Sequence, residues 1–74
     1  MKKITPQLAK LIGYDSGKVY SVVIVCSPNN EFLNTKFKKL MDGLFSAEIS
    51  GHEIEKLALR DEVLSIELNN IVGI

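Results

Sequence analysis

Seventy-four residues make one domain, and a single core of this size supplies only about 3–5 kcal/mol of net stability because burial is nearly cancelled by chain entropy. Nine Lys plus Arg balance nine Asp plus Glu, which excludes the basic face that nucleic acid or an anionic membrane surface requires. One cysteine, Cys26, rules out an internal disulfide, and with the single His52 it is too small a set of soft ligands for zinc, so neither metal nor cofactor is expected.

The longest apolar run, residues 22–26, is too short to span a bilayer. Lys2-Lys3-Ile4 runs into Thr5-Pro6-Gln7 rather than into the apolar stretch of a signal peptide, so the chain reads as soluble and without an export signal. Thr5-Pro6 is a helix opening: a hydroxyl cap, then proline at the first helical position, where its missing N–H is not needed. Leu8, Leu11 and Ile12 make a stripe and Gly13 closes a helix of one or two turns that braces the domain edge. Tyr14-Asp15-Ser16-Gly17-Lys18 has the composition of a loop.

Residues 19–26 are the strongest strand, β-branched at Val19, Val22, Val23, Ile24 and Val25 and apolar on both faces from Val22 onward. Such a strand is central in its sheet. Its second face needs a cover, either the Thr5 helix or another molecule. Ser27-Pro28-Asn29-Asn30 ends the strand and caps a helix starting near Glu31. Beyond it two readings compete. Leu33, Phe37, Leu40, Met41 and Leu44 keep the spacing of one long helix. Asp42-Gly43, however, is a preferred two-residue hairpin turn, because both positions tolerate positive φ. In that reading the helix is short, residues 30–35, and residues 36–41 pair with 44–49, with Phe45, Ala47 and Ile49 facing the core and Ser46 and Glu48 outward.

Residues 49–68 carry the clearest signal. Ser50 and Glu53 form a capping box. Ile54, Leu57 and Ala58 line one helix face, and Glu53, Glu55, Lys56 and Arg60 follow the charge order that the backbone dipole favours. From Val63 the period becomes two: Leu64, Ile66 and Leu68 alternate with Ser65, Glu67 and Asn69, as in a strand with one buried face. With the hairpin, the order is strand, helix, strand, strand, helix, strand, an α+β chain that folds into a ferredoxin-like βαββαβ antiparallel sheet with two helices on one face, plus the short N-terminal helix. The parts are residues 1–17 (helix and loop), 18–70 (α/β core) and 71–74 (tail).

Catalytic constellations are sparse. Cys26 ends a buried strand and reads as a small core residue; a reactive thiolate needs a cation or a helix start beside it. His52, in the first turn of the capped helix, reads as a solvated surface residue. The glycines are scattered and form no phosphate-cradling loop. Asp61 and Glu62 beside Glu67 are explained by a turn and a strand surface. No Ser/His/Asp arrangement is visible, and the chain is not expected to be an enzyme. The final residues, Asn69-Asn70-Ile71-Val72-Gly73-Ile74, follow the last strand without a turn-back signal. They read as a frayed continuation of that strand or as an extended peptide that adds to a partner's strand edge.

The run Leu57-Ala-Leu-Arg-Asp-Glu-Val-Leu-Ser-Ile-Glu-Leu68, with the hairpin at Asp42-Gly43 and the helix opened by Ser50, resembles the propeptide domain of subtilisin-like serine proteases and the related stand-alone inhibitors. The likeness covers residues 18–74, and Val63-Leu64-Ser65-Ile66-Glu67 matches the family's Val-x-x-Ile/Val-Glu motif. The opening, residues 4–12, is similar to the N-terminal helix of some bacterial members. The resemblance implies a ferredoxin-like fold, favours the hairpin, and gives the apolar second sheet face a partner in two surface helices of the protease. It implies that Glu67 caps the N-terminus of a protease helix. Asn69, where many members carry an acid, caps without charge. The tail would lie in the substrate cleft with Ile71, Val72, Gly73 and Ile74 in subsites four to one; a β-branched Ile74 beside the scissile bond departs from the usual choice and leaves the register open by one. The implied function is that of an intramolecular chaperone and inhibitor. The alternative is a small ferredoxin-like regulatory or oligomerising module whose open sheet face pairs with a copy of itself. A metal or redox carrier of the same shape is disfavoured by the lone Cys26.

Overall fold

β-branched residues give β1 (Val19–Cys26) side chains that pack on both faces of a pleat, and the sheet is laid around it. In the computed structural model, which describes residues 3–28 and 37–69, β1 pairs antiparallel with β3 (Leu44–Ser50) on one side and with β4 (Val63–Leu68) on the other. β2 (Phe37–Met41) flanks β3, so the strand order is β2-β3-β1-β4. With helices α1 (Pro6–Tyr14) and α2 (Gly51–Ala58), this is an α+β architecture whose strand order is consistent with a ferredoxin-like fold. The expected helix at residues 30–35 lies outside the described residues.

The hairpin replaces the long-helix reading of residues 33–44: Phe37–Met41 is a strand, and Met41 pairs with Leu44 across Asp42-Gly43. Gly43 adopts φ +81°, the left-handed conformation that only glycine enters without strain. Its carbonyl accepts from the Cys26 N–H at 2.9 Å, which ties the turn to the end of β1.

The core lies on one side of the sheet. Tyr20, Val22, Ile24 and Cys26 of β1, Phe45, Ala47 and Ile49 of β3, and Val63 and Ile66 of β4 are buried there against Leu8 and Ile12 of α1 and Ile54 and Leu57 of α2. Three expectations for α1 are corrected. Thr5 makes no side-chain cap hydrogen bond, and the helix runs through Gly13 to Tyr14, with Asp15 as its C-cap. The helix is also more than an edge brace, because Leu8 is wholly buried and the Tyr20 hydroxyl donates to Leu11 O at 2.9 Å and Asp15 O at 2.6 Å, pinning the helix end to β1. Because α1 shares the core face with α2, it does not cover the opposite face.

In β4 the register shifts between Val25 and Cys26 of its partner: Val25 faces Ser65 and Cys26 faces Val63, so Leu64 is an extra, bulged residue. Simple alternation places Leu64 in the core with Ile66 and Leu68. The bulge buries Val63 instead and leaves Leu64 53% exposed. The outer edge of β4 meets the N-terminal segment, where the Ile66 N–H donates to Lys3 O at 2.8 Å and the Thr5 N–H donates to Ile66 O at 3.2 Å, a short parallel bridge.

Candidate protein-docking face of the sheet

Strand alternation sends every second residue of β1 and β3 away from the core, and the register stacks those residues in rungs. Met41, Leu44, Val25 and Ser65 form the rung nearest the hairpin; Lys38, Ser46, Val23 and Glu67 form the next; Glu48 and Ser21 form the third, extended by Asn69. Asn69 is held there by its N–H donating to Ser21 O at 2.9 Å and its side-chain amide donating to Ser21 Oγ at 3.4 Å. The face grades from apolar to polar along the strands. Val23, Val25 and Leu44 are half-buried, and Met41 is 62% exposed. At the polar end Ser21, Lys38, Ser46, Glu48 and Asn69 line a hollow of about 350 Å³.

Of the residues singled out from sequence, Glu67 on β4 and Asn69 just past its end are brought together on this face, with Glu67 exposed. Ser46 and Glu48 point away from the core as expected. Ile71, Val72, Gly73 and Ile74 lie outside the described residues. Lys38 was missed. Counting back from a regular two-residue hairpin puts Lys39 opposite Ser46, but the register shift between Lys39 and Met41 puts Lys38 there and turns Lys39 to the core side, opposite Phe45. The turn signal therefore marked the hairpin as one of two readings and did not reveal which lysine joins the face.

The other candidates sit elsewhere and do something else. Cys26 is in the core, and burial, then the Asp42 and Glu62 carboxylates, push its thiol pKa up, with Lys39 acting weakly the other way; this is opposite to what a thiolate nucleophile needs. The exposed His52 ring lies 3.2 Å from Ser16 Oγ. The α2 N-terminus is occupied by protein: Gly51 N–H donates to Lys18 O, His52 N–H to Ser16 O and Glu53 N–H to Ser50 Oγ. Glu62 is held below the ordinary carboxylate range by its own backbone N–H and by the Arg60 guanidinium, whose Nε donates to it at 2.7 Å. Among the described residues no three His, Cys, Asp or Glu side chains are grouped to hold a metal, and no helix is long and apolar enough to cross a membrane. No family model, characterised protein or solved structure matches this chain.

Proposed function

We propose that this chain is a propeptide-like domain, an intramolecular chaperone and inhibitor of a subtilisin-like serine protease that performs no chemistry itself. The open sheet face lies on two surface helices of the protease. There the Glu67 carboxylate accepts from the unpaired N–H groups at a helix N-terminus, where the positive end of the dipole favours a negative charge. Asn69 supplies a neutral acceptor beside it, and Ile71, Val72, Gly73 and Ile74 enter the substrate cleft as an added strand that blocks it.

One observation carries this reading: Glu67 and Asn69 share a sheet face with half-buried Val23, Val25 and Leu44, and both described helices are on the opposite face. Polar capping groups beside an apolar strip fit a protein surface better than solvent. The test is to mix the chain with a panel of subtilisin-like proteases and follow peptide hydrolysis. Inhibition by the full chain that is lost on removing residues 71–74 supports the reading. Absence of inhibition across the panel, or equal inhibition by the truncated chain, overturns it.

A further inference from the structure

The second rung of the open face begins with Lys38 on edge strand β2 and ends with Glu67 on edge strand β4. Three strand spacings, about 14 Å, separate them, and neither forms an ion pair with a described residue. A two-fold axis running along the strands, between two sheets stacked face to face, carries the β2 edge of one copy over the β4 edge of the other. Lys38 then meets Glu67 of the second copy, and this happens twice. The same operation sets Leu44 over Val25 in the apolar rung and Glu48 over the Ser21 hydroxyl in the third.

From this self-complementary pattern we infer that the open sheet face pairs isologously with a second copy of the chain, the two sheets stacked in the aligned manner about 10 Å apart. Four strands and three rungs make a contact of roughly 400 Å² per copy, about half of the area per partner in a standard stable interface. A contact of that size belongs with weak, transient interfaces, so association is expected only at high concentration. The inference rests on the register alone and not on protease inhibition, which is read by a different assay.

Sedimentation equilibrium at low salt tests it with three proteins. K38E places two Glu–Glu contacts in its homodimer, and E67K places two Lys–Lys contacts, so each should associate roughly tenfold more weakly than the parent chain. An equimolar mixture of K38E and E67K forms two Glu–Lys contacts in the heterodimer and should regain the parent's association. Both positions are exposed, and circular dichroism checks that the variants remain folded. A parent chain that stays monomeric at about 1 mM overturns the proposal, as do single variants that associate like the parent or a mixture no tighter than its components.

Discussion

A methyl group added at Gly43 would come within 2.8 Å of the Cys26 carbonyl oxygen, at a backbone φ of +81°. Both the clash and the left-handed backbone oppose any side chain, and the clashing atom is main chain in the central strand. Gly43→Ala is expected to lower stability by about 2 kcal/mol, a fall in Tm on the order of 10 °C for a chain of this size, read by thermal melting. Tyr20 gives a different kind of test. Burial, then the Asp15 carboxylate, push its phenol pKa up, so the folded state holds the proton more tightly than the unfolded one. The stability that Tyr20 contributes is complete below its ordinary pKa of about 10 and is lost as pH rises through the higher folded value. Denaturant melts across that alkaline range should show a steeper loss for the parent chain than for Tyr20→Phe, which starts lower because the hydrogen bonds to Leu11 O and Asp15 O are gone; parallel pH profiles would refute this.

At the scale of elements, α2 shows why some features were legible and others were not. The capping box is present in full: Ser50 Oγ accepts from Glu53 N–H at 3.3 Å, and Ser50 N–H donates to Glu53 Oε1 at 3.2 Å. Its chemistry involves residues three apart, so the sequence contains all of it. Ser50→Ala should cost about 1 kcal/mol, measured by urea unfolding. Gly51, the next residue, obeys a constraint that no local reading reveals. Alanine is the better helix former by about 1 kcal/mol, yet a Cβ here would lie 2.9 Å from Ser16 Cα and O and 3.0 Å from Ile12 Cγ2. Gly51→Ala is therefore expected to destabilise the protein; a higher Tm would show that propensity outweighs the contact. The same division runs through the chain. The turn chemistry of Asp42-Gly43 and the core phase of Phe45, Ala47 and Ile49 are local, so the sequence offered the hairpin as one of two readings, beside a long helix over the same residues. The bulges that expel Leu64 and exchange Lys39 for Lys38 were not legible, because they follow from how a strand meets its neighbour, and the docking of α1 on the core face depends on residues far along the chain.

At the scale of the whole molecule, the N-terminal helix is part of what covers the core face of the sheet. Leu8 is wholly buried and Ile12 nearly so, among residues of β1, β3, β4 and α2. The segment leading into the helix closes the edge of β4, where the Lys3 ammonium also donates to Arg60 O at 2.7 Å. Truncating one such leucine to alanine typically costs about 2–5 kcal/mol, as much as the entire stability expected of a core this small, about 3–5 kcal/mol. Leu8→Ala should accordingly leave a large unfolded fraction by circular dichroism, although the residue is remote from the open face. A partner that binds only the folded state at a hundred times its Kd returns about 2.7 kcal/mol, enough to refold much of such a variant. If the open face is a docking surface for the proposed protease, Leu8→Ala should regain its ellipticity on titration with that protease; the weak self-association inferred for this face is not tight enough to do this. A variant that remains folded without a partner would instead show that α1 is dispensable to the core.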